Sequence, residues 1–443
     1  MRTVTDVMKN NDILDENLDE NPDMVPDEDQ DDYYDDSNDD SADESYNENS
    51  DEDSGDDGVP PAPGRGLKRL LRIDPLLFLT VALLNVMGLT ALKSICDVAG
   101  SDSILVKQAA GSAAGLLIMT AFSMVDCSRV TRYYRILYLI VIASLAAVLV
   151  FGTSGGGARR WISLGGLTFQ PSELAKILLI LFYAEFIIEY VGKHSRIPVY
   201  LLSTLLILPP FFMILKEPDL STGIVVFLVF CVILIVAGLS RKIIAGITAA
   251  AIPSFLIMIF LIVSGSLSFL GEYQRNRILA WIHPEEYANS TAYQTMNSIT
   301  AIGSGQLLGK GLGASGSGTL LGTGFISESQ TDFIFAVIGE QFGFAGCCAM
   351  IILITAVTVR CYQIASLSTD PRDRIIASGM AAWIGIQSYL NIGVTTGLLP
   401  NTGIPLPFVS YGLTSLICLY AGLGFVQNIN VRNQEEKILN KRS

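Results

Sequence analysis

Long apolar windows recur along this chain and constrain its fold more than any other feature. Windows of 18–25 residues are what an α-helix needs to cross ~30 Å of hydrocarbon, and lipid cannot satisfy a bare backbone. Only 16% of the 443 residues are charged, against about 25% in soluble domains. The sequence therefore predicts an all-α polytopic membrane protein with ten transmembrane helices, over residues 76–95, 104–125, 134–152, 172–191, 197–215, 220–239, 243–268, 333–358, 374–398 and 408–428.

The first 64 residues have a different composition. They contain 24 Asp and Glu but only two basic residues, Arg2 and Lys9. Few large apolar groups are present to offset the entropy of ordering, so residues 1–64 are predicted to be a disordered acidic tail, either simply solvated or used for docking. The ten-helix domain is expected over residues 65–430, and a C-terminal tail over 431–443.

The distribution of Lys and Arg predicts the orientation. With the N-terminal tail inside, 18 of these residues fall on the cytoplasmic side and nine on the outer side. This bias places both termini in the cytoplasm. Two long outer connections follow, about 153–171 and 269–332, the second between helices 7 and 8. Long connections are often functional, and Trp281 and Phe325 would anchor the second as a packed lid or short helices.

The stretch ARRWISLGGLTFQPSELAK, residues 158–176, places several charges where the chain enters lipid. Pro171 suits the first turn of a helix, and Glu173 and Lys176 are three residues apart on one helix face. A local ion pair would explain those two charges. Arg159 and Arg160, however, belong to a group of basic residues on the outer side, and guanidinium groups suit phosphate. An anionic ligand is therefore expected there.

Two acids stand out in SESQTDFIFAVIGEQFGFAG. Asp332 lies where the second outer connection enters a helix, as a helix cap or as a general base for a hydroxyl nucleophile. Glu340 lies eight residues further on, where an acid in lipid is costly and usually has a partner or lines a path.

The glycine-rich run AIGSGQLLGKGLGASGSGTLLGTG does not match a nucleotide site. GLGASG has no surrounding βαβ unit, and the segment around GKG lacks the residues that a phosphate-binding Walker loop requires. A tight loop bearing Lys310 remains, whose N–H groups could approach phosphate oxygens. With only His194 and His283, and cysteines without ligand spacing, no metal cage and no cofactor is evident.

Two further outer stretches, KEPDLSTG and LLPNTGIPLPFVSYGLTS, contain prolines that either end helices or shape an irregular backbone. Irregular backbone at membrane depth is tolerated where it lines a polar cavity. The residues thus describe an outward-facing, anion-lined cleft with a candidate base. They leave open an enzyme acting on an anionic lipid and an anion transporter.

Five motifs in order resemble the SEDS proteins (shape, elongation, division and sporulation), the family of RodA, FtsW and SpoVE. They are ARRWISLGGLTFQPSELAK, EPDLSTG, YQTMNSITAIGSGQLLGKG, TDFIFAVIGEQFG and LLPNTGIPLPFVSYG, and the resemblance covers residues 70 to 430. It implies a ten-helix glycosyltransferase of the bacterial cytoplasmic membrane that polymerises lipid II on the outer face and releases polyprenyl pyrophosphate. It also implies a class B penicillin-binding protein and other elongation or division proteins as partners. Membrane lipid is a further expected partner and nucleic acid is not. The sequence leaves a divalent cation, Mg²⁺ or Mn²⁺, open.

The resemblance also implies roles for individual residues. Asp332, in TDF, corresponds to the essential acid of the family. The Arg, Trp, Glu and Lys of the first motif correspond to Arg160, Trp161, Glu173 and Lys176. Together with candidates from the sequence itself, the expected substrate-binding residues are Arg159, Arg160, Trp161, Gln170, Ser172, Glu173, Lys176, Asp219, Lys310 and Glu340.

This chain departs from the family pattern at a few positions. Ser327 and Gln330 replace usual residues before Asp332, Glu217 and Ser221 stand where Gln and Gly are common, and Leu413 replaces a second glycine. These departures leave the branch open among elongation, division and sporulation. A lipid II flippase and a non-catalytic scaffold for a transpeptidase are the alternatives. Weak symmetry between halves would indicate a transporter, and the sequence shows none.

Overall fold

The computed structural model describes residues 72–155, 158–164, 167–193, 195–240, 272–290, 292–312, 318–326 and 328–441, with isolated positions between 243 and 264. The helices in these ranges are α1 Pro75–Ala99, α2 Ser103–Phe122, α3 Cys127–Thr131, α4 Tyr134–Phe151, α5 Pro171–Val191, α6 Arg196–Lys216, α7 Leu220–Val236, α8 Glu272–Ile282, α9 Tyr293–Ser304, α10 Ile334–Leu367, α11 Pro371–Thr395 and α12 Leu413–Asn440. The predicted tail 1–64 and most of the predicted span 243–268 lie outside the described residues.

Local sequence explains where several helices begin. Asp74 caps α1, since its carboxylate accepts hydrogen bonds from two N–H groups of the first turn, and Pro75 follows as the first helical residue. Asp370 and Pro371 repeat the same arrangement at α11. A carboxylate at the cap satisfies otherwise unpaired N–H groups, and proline at the next position loses no hydrogen bond.

Seven helices of the described chain are long and apolar enough to cross a membrane, namely α1, α2, α4, α6, α10, α11 and α12. Helix α7 is a shorter apolar helix of 17 residues. Helix α5, of 21 residues, matches the predicted span 172–191 but carries four charged residues. The prediction of a helical polytopic membrane protein is confirmed, while the number ten stays a prediction.

Helix α10 is broken at Gly343. Its backbone there has φ 65° and ψ −162°, so two helical pieces, 334–342 and 344–367, replace the single predicted span 333–358. Only glycine adopts such a left-handed φ without steric cost. The break frees backbone groups in the middle of an apolar element, where they need other partners.

The segment that follows α9 supplies those partners. It runs antiparallel to the break and forms four backbone hydrogen bonds of 2.8–3.0 Å, which are Lys310 N to Glu340 O, Gly311 N to Gln341 O, Phe344 N to Gln306 O, and Ala345 N to Leu307 O. Gly309 permits this close approach, because a Cβ there would lie 2.1 Å from the Gln341 oxygen. The N–H groups of Lys310 and Gly311 are therefore used within the protein. This corrects the expectation that they would be open to phosphate.

The first outer connection contains β structure, which corrects the all-α prediction. Three short antiparallel strands, β1 Thr153–Gly155, β2 Ala158–Leu164 and β3 Leu167–Phe169, pair in that order. Each hairpin joins strand residues that are separated by two glycines in the sequence, a strong two-residue turn signal. The aromatic and β-branched residues of WISL and LTF suit the strands. The prediction rested on long apolar windows and did not include the turns that the two glycine pairs indicate.

The last two long helices form the centre of the bundle. In its most apolar window, 89% of α12 is buried by protein, against 22% of α4. Small residues allow close packing, since a Cβ on Gly422 would meet the Met380 side chain at 2.2 Å. Helix α12 continues to Asn440, well past the predicted span end at residue 428 and into the predicted tail 431–443.

The two described ends of the chain lie at the same end of the bundle. Arg72 Nη1 forms an ion pair with Glu435 Oε1 at 3.0 Å, and the Asp74 N–H donates to Gln427 Oε1 at 2.8 Å. Arg360, in the second half of α10, contacts the Asp74 carboxylate. Asp332 precedes the other end of α10, so the candidate base lies at the opposite end of the bundle from these contacts.

Candidate functional site

Asp332 is held at the end of the second outer connection, just before α10 begins. Its carbonyl oxygen accepts a hydrogen bond from Asn391 Nδ2 at 2.8 Å, and the same amide donates to Ile404 O at 2.6 Å. Asn391 belongs to α11 and is fully buried. One buried amide thus joins Asp332 to the connection between α11 and α12, residues 396–412, which we call the proline segment.

The proline segment approaches the Asp332 carboxylate closely. A Cβ on Gly403 would lie 3.2 Å from Asp332 Oδ2 and 3.6 Å from Arg277 Nη1, and the φ of Gly403 is +69°. Arg277, from α8, donates from Nη1 to Asn401 O at 3.1 Å. Glycine at position 403 therefore lets a carboxylate and a guanidinium flank one stretch of backbone.

The surroundings of Asp332 raise the pKa of its carboxyl group to about 6. Desolvation by the surrounding protein is the largest cause, and the charge of Glu328 adds to it; the charges of Arg277 and Arg160 act in the opposite direction. A carboxylate with a pKa near the working pH is mostly ionised at neutral pH and still basic enough to accept a proton.

Arg160 is fixed by the turn between α6 and α7. Its Nε donates to Glu217 O at 3.2 Å, its Nη2 donates to Pro218 O, and its Nη1 lies 3.9 Å from Asp219 Oδ1. Asp219 also caps α7 and accepts a hydrogen bond from Gln170 Nε2 at 3.3 Å. Strand β2 and this turn thus hold the guanidinium where its charge reaches Asp332.

Glu217 is an unusual member of this turn. Its side chain is fully buried, and neither carboxylate oxygen has a hydrogen-bond partner among the described residues. Desolvation raises its pKa to about 8; the charge of Asp219 raises it further and that of Arg160 lowers it. Glu217 is therefore mostly protonated at neutral pH. The sequence marked this position only as a departure from the family pattern.

Lys176 and Glu173 form a buried ion pair. The Lys176 Nζ lies 2.7 Å from Glu173 Oε1, and each side chain is 2% exposed. The ammonium also donates to Gln387 Oε1 at 2.8 Å and lies 4.8 Å from the centre of the Trp383 ring. Gln387 in turn donates to Pro405 O at 2.9 Å. The cluster therefore supports the proline segment from within the bundle.

Glu340 organises the segment between α9 and α10. Its carboxylate accepts hydrogen bonds from Lys310 Nζ at 2.8 Å, Leu320 N at 2.7 Å and Leu321 N at 3.0 Å. Its side chain is buried, and Lys310 is partly exposed. The partner expected for an acid at this depth is thus Lys310, together with two backbone amides.

The three predicted residues not yet described lie in strand β2 and in the first turn of helix α5. Trp161 is in β2 and half-buried, and its carbonyl accepts from Thr153 Oγ1 at 3.1 Å. Ser172 is fully buried and its hydroxyl has no hydrogen-bond partner among the described residues. Arg159 pairs with Ser154 through the backbone of the sheet, and its side chain is outside the described part. Their substrate-binding roles stay predictions.

Sequence reasoning did not select three residues that the structure brings to Asp332, namely Arg277, Asn391 and Gly403. Arg277 was counted only among the outer basic residues. Asn391 carried a usable signal, because a polar amide inside an apolar span usually has a specific partner. Within the described ranges, no group of three or more His, Cys, Asp or Glu residues could hold a metal ion.

The structure is that of a helical polytopic membrane protein in which the charges of two arginines act on a desolvated carboxylate near Gly403. Comparison with known proteins identifies the family. Residues 69–435 match the family model of FtsW, RodA and SpoVE, described as cell cycle protein. The chain belongs to this family, which confirms the resemblance found in its motifs.

Several relatives are similar over most of their length. The peptidoglycan glycosyltransferase MrdB of Escherichia coli K12 is 33% identical over 366 residues, which are 82% of this chain and 95% of MrdB. A probable peptidoglycan glycosyltransferase FtsW of Geobacter sulfurreducens is 32% identical, covering 83% of this chain and 98% of the relative. A chain of the structure described as "Structural coordination of polymerization and crosslinking by a peptidoglycan synthase complex" has 30% identity and a TM-score of 0.67, covering 82% of this chain and 98% of that chain.

Proposed function

We propose that this protein is a peptidoglycan glycosyltransferase that polymerises lipid II, with Asp332 as its general base. Its family and its similarity to MrdB and FtsW support the enzyme class. The observation that supports the role of Asp332 is its geometry, a desolvated carboxylate beside Gly403 with the charges of Arg277 and Arg160 acting on it.

The reaction joins two lipid-linked glycans. A hydroxyl oxygen of one molecule forms a bond with the anomeric carbon of another, and the bond from that carbon to the pyrophosphate oxygen breaks. Asp332 accepts the hydroxyl proton as the new bond forms. Its raised pKa suits this step, because a carboxylate of ordinary pKa would be a weaker base.

The arginines supply charge where the leaving group develops it. The charges of Arg160 and Arg277 both act on Asp332. Both guanidinium groups are anchored to backbone carbonyls, so little reorganisation is needed during the reaction. Interactions that strengthen as the bond breaks accelerate the step, whereas equal binding of substrate and transition state does not. Lys310 is partly exposed but paired with Glu340, and its binding of the substrate stays a prediction from the sequence.

Lys176 and Glu173 have a different role in this proposal. Their charges neutralise each other inside the bundle, and Gln387 connects them to the proline segment. We assign them to positioning the backbone around Gly403 and Asp332. Direct binding of substrate by Lys176 stays a prediction from the family resemblance.

The proposed orientation rests on the distribution of Lys and Arg together with the placement of Asp332. Both described termini lie at one end of the bundle and Asp332 at the other. With the predicted excess of basic residues in the cytoplasm, Asp332 faces the outside of the bacterial cytoplasmic membrane, where lipid II is polymerised. A class B penicillin-binding protein is the proposed partner, supported by similarity to a chain of a peptidoglycan synthase complex.

Purified protein, with and without a class B partner, tests the proposal in an assay with labelled lipid II and gel separation of the glycan chains. We expect chains from the wild type and none from Asp332→Asn, which keeps the size of the side chain but removes its basicity. Asp370→Asn, at the cap of α11 and opposite end of the bundle, is the matched control and should retain polymerisation. A wild type inactive with partner and divalent cation present would refute the function, and an active Asp332→Asn would refute the base assignment.

A further inference from the structure

Side chains hold the part of the proline segment that lies beside Asp332. Residues 400–405 belong to no helix or strand, and no backbone–backbone hydrogen bond joins them to the rest of the described chain. Four of their carbonyl groups accept hydrogen bonds from side chains instead. The pairs are Arg277 to Asn401 O, Ser221 to Thr402 O, Asn391 to Ile404 O and Gln387 to Pro405 O. The course of this backbone therefore depends on four side-chain donors.

Ser221 is the donor of this group to which neither the sequence nor the proposed function gives a role. It lies in the first turn of α7, is 3% exposed, and donates from its hydroxyl oxygen. It is also one of the positions at which this chain departs from the family pattern, where glycine is common. A glycine could not donate this hydrogen bond, so the bond depends on the departure.

The acceptor of the Ser221 hydrogen bond adjoins the candidate base. Thr402 O belongs to the peptide group that links Thr402 to Gly403. A Cβ on Gly403 would lie 3.2 Å from Asp332 Oδ2. Rotation of this peptide group would therefore change the backbone that the Asp332 carboxylate faces.

The donor end of the same hydrogen bond belongs to the turn that holds Arg160. Glu217 and Pro218 in this turn supply the carbonyl groups that accept from the guanidinium. Asp219, two residues before Ser221, caps α7. Arg160, the turn and the start of α7 are thus connected, and the Ser221 hydroxyl joins them to the proline segment.

We propose that Ser221 is a positioning residue for the transfer reaction, whose hydroxyl joins the turn that holds Arg160 to the backbone beside Asp332. The bond keeps a base and a cation from distant parts of the chain in a fixed arrangement. Groups that are already in place need not reorganise as the proton is transferred and the pyrophosphate leaves, and small displacements of such groups slow a reaction strongly. The inference rests on the proposed function, because it concerns the same site.

Loss of this hydrogen bond has an electrostatic consequence at Asp332. The charge of Arg160 lowers the pKa of the Asp332 carboxyl, against the larger effect of desolvation. When the turn is no longer joined to the proline segment, that charge is held less closely and the pKa of Asp332 rises further. The acidic limb of the pH–rate profile then moves to higher pH. A loss of stability alone would not move this limb.

The test measures polymerisation of labelled lipid II by the full-length protein with its class B partner across pH, for the wild type and Ser221→Ala. We expect the kcat of Ser221→Ala at neutral pH to be about three- to tenfold lower, as for the loss of one hydrogen bond. KM should change less than kcat, because the lost contact positions groups that act in the transition state. The acidic limb should move to higher pH. Ser221→Thr, which keeps a hydroxyl at this position, should recover kcat at least in part.

Ser203→Ala is the matched control. Ser203 is also fully buried, and its hydroxyl also donates to a backbone carbonyl, Val199 O at 2.8 Å, but this bond lies within helix α6. The variant removes the same atom and should keep the kcat and the acidic limb of the wild type. Ser221→Cys keeps the inference testable if Ser221→Ala does not fold, since a thiol has nearly the same shape as the hydroxyl but is a weak donor.

A wild-type kcat and an unshifted acidic limb in both Ser221→Ala and Ser221→Cys would overturn the inference. A fall in kcat that leaves the acidic limb in place, or that Ser203→Ala shares, would overturn it as well, because a general loss of stability would account for it. A wild type that forms no glycan chains would instead refute the proposed function. That outcome is distinct from an active wild type whose Ser221 variants are equally active.

Discussion

Replacing Lys176 by Met should destabilise the protein strongly, because it leaves the Glu173 carboxylate buried without a partner. The two side chains are 2% exposed and 2.7 Å apart, so water cannot compensate for the lost ammonium. Breaking a buried ion pair typically costs about 3–5 kcal/mol. The cation over the Trp383 ring and the hydrogen bond to Gln387 are lost as well.

Lys93→Met is the matched control. Lys93 and Asp97 are also 2.7 Å apart, but their side chains are 50% and 39% exposed. Exposed pairs contribute little to stability, so this variant should unfold almost like the wild type. Chemical unfolding in detergent, followed by circular dichroism, measures both differences.

The double variant Glu173→Gln, Lys176→Met distinguishes a positioning role of Lys176 from direct contact of Lys176 with the substrate. It leaves no buried charge and should recover most of the stability lost in the single variant. If Lys176 only positions the proline segment, polymerisation should return with stability. A double variant as unstable as Lys176→Met, or a single variant as stable as the wild type, would refute the reasoning. A stable double variant without activity would instead indicate direct contact of Lys176 with substrate.

Three further predictions concern protonation and backbone packing. The kcat of polymerisation should fall about tenfold per pH unit below pH 6, because Asp332, with its pKa of about 6, then becomes protonated; a pH–rate profile without this limb would refute its role. Glu217→Gln should stabilise the protein by up to about 3 kcal/mol at pH 7 but not at pH 4. The Glu217 carboxyl has its ordinary pKa in the unfolded chain and a pKa of about 8 in the folded protein. Wild-type stability therefore falls as the pH rises between these two values. Gly309→Ala should destabilise more than Gly311→Ala in unfolding measurements, because both have positive φ but only at Gly309 would the new Cβ meet backbone, 2.1 Å from the Gln341 oxygen; equal losses would contradict the packing argument.

The apolar helices were predictable because each crossing needs a continuous apolar window, and the seven long apolar helices match windows read from the sequence. The break at Gly343 was not predictable, because a glycine inside an apolar run is compatible with a continuous helix. The segment that pairs with the break is distant in the sequence. The same holds for the sheet at residues 153–169, where apolar content outweighed the paired glycines.

At the site, Asp332 and Arg160 followed from motifs, whereas their surroundings did not. Arg277 and Asn391 come from distant parts of the chain, and only the fold brings them to Asp332. Burial also distinguishes residues that look alike in sequence. Lys176 and Lys310 both appear as outer cations, yet one is enclosed and the other partly exposed.

The broken helix has a consequence for how this region of the chain can vary. Four backbone hydrogen bonds join residues 306–311 to residues 340–345, and they depend on the spacing of the chain and on the glycines between them, not on side-chain identity. Substitutions of the exposed side chains of Leu307 and Leu308 should therefore be accepted readily. Insertion or deletion of a single residue between the two pairs of bonds would move one pair out of register with the other, so the lengths of these two segments should be under strong selection.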